Sequence, residues 1–545
     1  MQHSNLISVT KARTSYVFVL AALALLIIFV ALFVLQVEKN PLRLDEVDYF
    51  RSMQNVVNLG VPLYYSGEAN IDKNLLIPLS IRRLDNQDFT FYRFKPETGK
   101  LKETFIAIVD PESRYTYGMW HPPLYIYLGS FFFRLFPLTP DNSSWLRYFN
   151  LVFSIGLFGG MAMLARELNR NRWRLIFLVA LVLFVSSNLA VRGSILIDYN
   201  GTLGPCVAVW TVVAYLRSER QRRLHWGLVV VMVLVWFTSL GIGVSLVLSL
   251  LVYWLFWGRR QMATWYPLAA VLLGTALFFP IFLVFCRTLN LPFTQPFLHN
   301  ISRAGVKWDM NHVIQMFNEM LKYVDIYSRA IGIAAVCVAI LFFVKAVLTR
   351  TYSSSPARAL LPVIFIVGML SQASLGADAW GFMKYLLFLL PLLFTYIACE
   401  VLNLAESARL PWKMLAVVGL LVVVLADGVD QIQSLQAPGG TLYNPGQQGI
   451  TEIAYQLKTL SDPAQVVLGE KDIAFYADRK FIEWFGPGFT DANYVRQLIA
   501  SENISWIAVS VPTFESTSDA IKTYLKNTFA ITYQSGDFII LKRNL

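Results

Sequence analysis

Charge is scarce in this chain: only 15% of its 545 residues are Asp, Glu, Lys or Arg, against 56% hydrophobic and 14% aromatic. That profile excludes an ordinary soluble globular protein. Cysteine is scarce as well. Cys206, Cys286, Cys337 and Cys399 each lie in or at the end of an apolar run without paired spacing, which excludes a disulfide framework and a zinc module and leaves small buried hydrophobes. The five histidines stand apart from one another and from the cysteines, so a histidine-built metal centre is excluded. No cofactor is identified, and a divalent cation held by carboxylates alone stays open. A Rossmann-type cytosolic domain is also lacking.

What the chain has in quantity is apolar runs of the length that crosses about 30 Å of hydrocarbon. The net charge of +11 falls mostly in short loops between those runs, which is a topology signal and not a nucleic-acid footprint. Lys11 and Arg13 precede an uncharged stretch from Thr14 to Val37. It is longer than a signal-peptide core and lacks a small-residue cleavage site, so it reads as a retained first span with a cytoplasmic amino end. Arginines then mark alternate loops: Arg166, Arg170, Arg172 and Arg174, next Arg217, Arg220, Arg222 and Arg223, then Arg259 and Arg260. The uncharged stretch Leu224 to Gly258, with Gly241 and Gly243 inside it, splits into a hairpin. Carried to Asp430, the alternation predicts roughly eleven spans of an α-helical polytopic membrane protein in the cell's inner (plasma) membrane.

The domain plan follows. Residues 1–432 form the membrane domain, with an outer loop at 38–146; residues 433–449, rich in Pro, Gly and Gln, form a linker. Residues 450–545 form an extracytoplasmic α/β domain of ordinary size. Its expected strands are 465–469, 504–510 and 538–542, and its expected helices 491–501 and 518–527. Its role reads as a structural or acceptor-binding cap. Residues 81–117 form a polar, aromatic insertion with a short strand at Phe89 to Phe94. The apolar segment from Pro122 to Phe136 is too short to span and is expected along the membrane surface.

The outer loop carries the chemistry. It opens on Leu44-Asp45-Glu46-Val47-Asp48-Tyr49 and closes on Trp120-His121-Pro122-Pro123-Leu124-Tyr125. Asp45 and Glu46 could by themselves mark only where the chain leaves the membrane, and His121 only a helix start before two prolines. Together on one side of a bilayer, ionisable groups point to a functional site. The topology places Asp45, Glu46, His121, Arg192, Asp198 and Lys384 all on the external side.

These residues carry a resemblance. The carboxylate pair after the first span, the His-Pro-Pro-Leu box, Arg147 with Asn150, the stretch from Arg192 to Asp198, and Lys384 to Pro391 resemble the GT-C-fold glycosyltransferases that use lipid-linked sugars. The likeness is to the protein O-mannosyltransferase family and the bacterial aminoarabinose transferases, over roughly residues 15 to 400, with an outer C-terminal domain of the same kind. Two features depart from it: a longer interval from Asp45 to His121, and Lys384 where arginine is commoner. The resemblance implies Asp45 as general base. Glu46 and Asp198 would position the acceptor, hold the base or bind an ion.

Sugar transfer from a polyprenyl phosphate needs a carboxylate to take the hydroxyl proton and cations for the departing phosphate. His121, Arg147, Arg192 and Lys384 are the candidates for the phosphate; for Arg147 and Arg192 the competing reading is snorkelling from span ends to headgroups. Direct attack predicts inversion. Tyr125, Tyr127, Phe131 and Trp145 are candidates to shelter the prenyl chain. The expected partners are a polyprenyl-phosphate-linked sugar and a lipid, glycan or protein acceptor, with no nucleic acid. The alternative class is a transporter or lipid flippase with an external ionisable pathway, against which stand the lack of an internal repeat and the gathering of charge at one face. A further reading, an oligosaccharyltransferase-like enzyme, would favour a metal-dependent site.

Overall fold

The computed structural model of the protein describes residues 2–43, 45–60, 62–65, 76–84, 87–94, 108–110, 115–117, 122–258, 264–289, 293–294, 296–297, 311, 314–315, 318, 356–375, 382–407, 410–436, 449–484 and 492–544. Helix α1 (Gln2–Lys39) is followed by α2 (Asp45–Leu59), then by short strands β1 (Leu63–Tyr65), β2 (Leu76–Leu84), β3 (Gln87–Phe94), β4 (Ile108–Asp110) and β5 (Tyr115–Tyr117). Next come α3 (Leu124–Leu135), α4 (Asn150–Leu168), α5 (Trp173–Ser186), α6 (Asn188–Ile195), α7 (Leu203–Gln221), α8 (Trp226–Thr238), α9 (Leu240–Tyr253) and α10 (Trp265–Thr288). The later helices are α11 (Pro356–Leu375), α12 (Phe382–Leu386), α13 (Leu390–Ser407) and α14 (Leu410–Gln436). The C-terminal region runs α15 (Ile450–Leu460), β6 (Val466–Gly469), α16 (Lys471–Ala477), β7 (Lys480–Glu483), α17 (Ala492–Ser501), β8 (Trp506–Ser510), α18 (Val511–Glu515), α19 (Asp519–Thr528), β9 (Phe529–Ser535) and β10 (Phe538–Arg543).

The chain divides into two compact units: Met1–Gln36 with Arg147–Val284 and Arg303–Gln436, and Val37–Leu146 with Phe285–Ser302 and Ala437–Leu545. The sequence reading counted residues 38–146 with the membrane domain. By contacts they group with the C-terminal region, because α2 packs directly on α16.

In the first unit, helices approach closely where small residues allow it. Gly156 and Gly160, one turn apart on α4, face α7; a Cβ at Gly160 would fall 2.9 Å from Val209 Cγ1, and the Trp210 indole N–H donates to Gly156 O at 2.9 Å. Backbone proximity of this kind is how helices gain contact where lipid is as apolar as leucine. Phe29, Phe158 and Phe184 interlock edge-on and tilted between α1, α4 and α5. Between α9 and α11, the Ser245 and Ser371 hydroxyls meet at 2.6 Å and Gln372 Nε2 donates to Ser245 Oγ at 2.8 Å.

Among the described residues, four helices are long and apolar enough to cross a membrane, at Tyr16–Lys39, Pro140–Leu168, Trp265–Thr288 and Lys384–Asn403. A fifth arises if α5 and α6 count as one span bent by 76°. One expected span is broken by serine, and a serine also starts the second helix of the expected hairpin. At Ser187 the backbone turns extended and the side chain accepts from Ala190 N, capping α6; at Ser239 the same device starts α9. A serine oxygen satisfies one of the amide groups that any helix start leaves open. The third span, expected to run from Leu175 to Val191 and release Arg192 into a loop, therefore ends at Ser186, and Arg192 sits on a separate short helix. The last span, expected to stop near Asp430, continues as α14 to Gln436, past the start expected for the linker.

The second unit holds two sheets. The insertion read from sequence as containing one short strand contributes to a five-stranded sheet ordered β1-β5-β4-β3-β2, in which β1 and most of β2 come from the residues before it. The other is ordered β7-β6-β8-β10-β9, parallel across β7, β6 and β8, antiparallel from β8 through β10 to β9. Along β8 the side chains alternate between two cores: Ile507 and Val509 pack with α17 and α19, Trp506 and Ala508 with α15 and α16. Burial on both faces explains why β8 reads as a continuous apolar run. The three strands and two helices expected from the sequence are present; α15, α16, β7, α18 and β9 are additions. Edge strand β9 is largely exposed, so it lacks the apolar signature of the others.

Candidate active site

The first cluster is built on α2. Its opening turn carries Asp45, Glu46 and Asp48, and negative charge is favoured there by the helix dipole. Arg43 and Glu46 close the turn reciprocally: Glu46 N–H donates to Arg43 O at 2.9 Å, and Arg43 N–H donates to Glu46 Oε2 at 3.2 Å. The second of these bonds is the returning half of a capping box, a Glu side chain on the backbone N–H three residues before it. Glu46, almost fully buried, thus holds the turn that presents Asp45. Below it, Val47, Phe50, Met53 and Val56 form the buried stripe. Phe50 meets Phe133 of α3 edge-on at 4.8 Å between centroids. Gly129 admits Met53, whose Sδ would lie 2.4 Å from a Cβ there.

Further charges surround that turn. Arg43 Nε donates to Asp472 Oδ2 at 2.7 Å, and Lys471 Nζ to Asp48 Oδ2 at 2.6 Å. Arg51 lies over the rings of Phe475 and Phe481, 5.4 Å from each centroid. Burial pushes the Asp48 carboxyl up to about 6; Lys471 and Arg51 oppose this and Asp45 adds to it. Asp48 therefore holds its proton to a higher pH than an exposed carboxylate does, its bond to Lys471 notwithstanding.

The second cluster belongs to the other unit, in the turn between α6 and α7. Asp198 is fully buried: Oδ1 accepts from Asn200 N at 2.8 Å and from Asn200 Nδ2 at 2.9 Å, while Oδ2 accepts from Lys384 Nζ at 3.1 Å. Lys384 also lies 5.3 Å from the centroid of Tyr385. Arg192 Nε donates to Asn188 Oδ1 at 2.9 Å, one turn back on α6. Asn150 Nδ2 donates to Leu196 O at 2.8 Å, tying the start of α4 to this turn. Gly201 closes it: a Cβ would fall 2.5 Å from Leu196 O and 2.9 Å from Gly193 O.

The candidates chosen from sequence thus fall into two sets. Asp45 and Glu46 share one turn; Asp198 and Lys384 are directly bonded. Arg147 and Arg192, 1% and 7% exposed, are buried among protein groups, which sets aside snorkelling to headgroups for both. Tyr125 is buried, edge-on to Tyr49 at 5.6 Å, whereas Phe131 and Trp145 are exposed. His121 lies outside the described residues. Among the described residues no group of three or more His, Cys, Asp or Glu is placed to hold a metal ion. Sequence reasoning did not single out Arg43, Arg51, Lys471, Asp472, Asn188 or Asn200. Lys471 and Asp472 follow Glu470 just after an apolar strand, a charge pattern that solvated surface shares.

No family model matches this sequence, and no curated protein does. Solved structures do. Over 97% of this chain and 98% of theirs, it resembles the crystal structure of ArnT from Cupriavidus metallidurans bound to undecaprenyl phosphate (13% identity, TM-score 0.52) and that of the same protein in the apo state (12% identity, TM-score 0.54). The chain has the GT-C fold of these membrane proteins.

Proposed function

We propose that the protein is a membrane glycosyltransferase that moves a sugar from a polyprenyl-phosphate donor to an acceptor hydroxyl at the extracytoplasmic face of the inner membrane. The observation that carries the reading is the near-full-length fold shared with a structure bound to undecaprenyl phosphate, joined to the buried Arg192 and Arg147 and the part-buried Lys384 in the helical unit. Buried cations of this kind suit a phosphate dianion more than a neutral solute.

In the proposed reaction Asp45 takes the proton of the acceptor hydroxyl as its oxygen bonds to the anomeric carbon. The bond from that carbon to the phosphate oxygen breaks, and its electron pair leaves with the polyprenyl phosphate. Lys384, Arg192, Arg147 and His121 offset the charge that develops on the phosphate. Asp198, bonded to Lys384, orients that ammonium. A single displacement inverts the anomeric centre. The amino end is cytoplasmic and the C-terminal α/β region extracytoplasmic in this reading. Helix α3, which exposes Leu128, Phe131 and Leu135, rests on the outer leaflet, and its aromatic residues shelter the prenyl chain.

The test is incubation of the purified protein with a panel of polyprenyl-phosphate sugars, followed by mass spectrometry. The expected result is consumption of one donor with release of polyprenyl phosphate. Turnover of a nucleotide sugar in its place, or facilitated lipid movement with no bond broken, would overturn the reading.

A further inference from the structure

Two neighbouring residues of the C-terminal region, Lys471 and Asp472, carry opposite charges, and each is paired with the opposite charge on the segment that bears Asp45. Asp472 holds Arg43 at 2.7 Å and Lys471 holds Asp48 at 2.6 Å. Arg43 lies two residues before Asp45 and Asp48 three residues after it, so the pairs bracket the proposed base from both sides. All four side chains are largely buried.

The contact is wider than two ion pairs. Residues 471, 472, 475 and 476 form one face of α16. Phe475 meets Phe50 edge-on at 5.1 Å and receives the Arg51 guanidinium at 5.4 Å. The Tyr476 hydroxyl accepts a hydrogen bond from Leu42 N–H, just before the capping turn. Arg43 also lies 5.8 Å from the centroid of Phe538 on β10. The helix carrying Asp45 is therefore gripped at its start, its first turn and its second by one short helix of the α/β region.

Buried ion pairs add little net stability over apolar packing, but they penalise any register in which either charge loses its partner. A crossed pair of pairs, cation to anion and anion to cation, admits one register and one rotation of α2. A general base must sit within hydrogen-bond reach of the proton it removes, and small misplacement lowers turnover sharply.

We propose that Lys471 and Asp472 are positioning residues: through Asp48 and Arg43 they fix the turn that carries the proton acceptor, making the α/β region part of the catalytic apparatus and not only a cap. This rests on the reading of Asp45 as the base. The donor that the full-length protein consumes in the panel above serves as substrate, and hydrogen–deuterium exchange of residues 43–51 is followed in the same samples without substrate. Lys471→Met and Asp472→Asn are expected to raise exchange in α2 and to lower kcat at least tenfold with KM for the donor within twofold. Lys471→Arg is expected to retain wild-type turnover, and the exchanged pair Asp48→Lys with Lys471→Asp to recover most of what Lys471→Met loses.

Unchanged exchange in α2, or raised exchange with unchanged kcat, overturns the proposal while leaving Asp45 as the base. If Lys471→Met does not purify as a folded protein, Lys471→Arg and the exchanged pair decide: a folded but slow exchanged pair with wild-type exchange in α2 counts against positioning. Normal turnover by Asp45→Asn removes the base itself, an outcome separate from failure of the grip.

Discussion

Lys384 and Asp198 stand 186 residues apart in the chain and meet at 3.1 Å, the ammonium on Oδ2 and both Asn200 donors on Oδ1 of one buried carboxylate. Removing one partner leaves a buried charge without compensation, which costs about 3–5 kcal/mol, whereas removing both costs much less. Lys384→Met is therefore expected to lower the thermal midpoint in detergent markedly. Lys384→Met with Asp198→Asn should recover most of that midpoint but not donor turnover. Recovery of both would mean that the pair is structural only.

Asp45→Asn keeps the size and shape of the side chain and removes its basicity. Loss of a general base lowers turnover by roughly 10²–10⁴-fold, with the thermal midpoint expected within a degree or two of the parent. Steady-state turnover of the purified variant is the measurement, and a normal rate would end the assignment.

Asp48 gives a pH signature. Its carboxyl is raised from an ordinary 3.8 to about 6, mainly by burial. Between those values the folded chain holds a proton that the unfolded chain has released. The contribution of Asp48 to stability is thus fully present below about pH 3.8 and falls as pH rises towards 6, by up to roughly 1.4 kcal/mol per pH unit. Subtracting the unfolding free energy of Asp48→Asn from that of the parent at pH 4, 5, 6 and 7 should give a difference that declines to pH 6 and then levels. A flat difference would show that Asp48 titrates normally.

Gly201→Ala places a methyl 2.5 Å from a backbone carbonyl oxygen that has no rotamer by which to yield. Overpacking of this kind typically costs about 1–3 kcal/mol. Because the same turn carries Asp198 and Asn200, turnover should fall with stability. Gly129→Ala is the contrast: its neighbour is the flexible end of Met53, so its midpoint should change far less.

Added protease should cleave between Asp430 and the start of α15 at Ile450 in spheroplasts, since that segment follows the last outward span in the proposed topology. Cleavage is read by immunoblot of a C-terminal tag. Protection in spheroplasts with cleavage in inverted vesicles would reverse the orientation.

Much of the fold was legible because membrane insertion writes itself into composition: an apolar run with arginines at one end is constrained locally, residue by residue. The strands β6, β8 and β10 were legible for a related reason, since burial on both faces leaves uninterrupted apolar runs. The break at Ser187 was not, because a serine inside an apolar stretch reads the same whether it faces a neighbouring helix or caps a new one. Strand β9 was hidden by its exposure. Within the site, Asp45, Glu46, Asp198 and Lys384 stood out as charges at the edges of apolar runs, where charge is rare enough to carry meaning. Lys471 and Asp472 lie in a region of ordinary polarity, and nothing local separates them from solvated surface charge.

The sequence by itself determined that this chain is a multi-helix membrane protein with an α/β appendage, because hydropathy, charge alternation and strand periodicity are properties of neighbouring residues. Only the tertiary structure decided which charges face each other: that Lys384 belongs to Asp198, that Asp472 and Lys471 belong to the helix of Asp45, and that Arg147 and Arg192 are buried. Ion pairing depends on distance through space, and separations of 186 to 429 residues leave no trace of it along the chain.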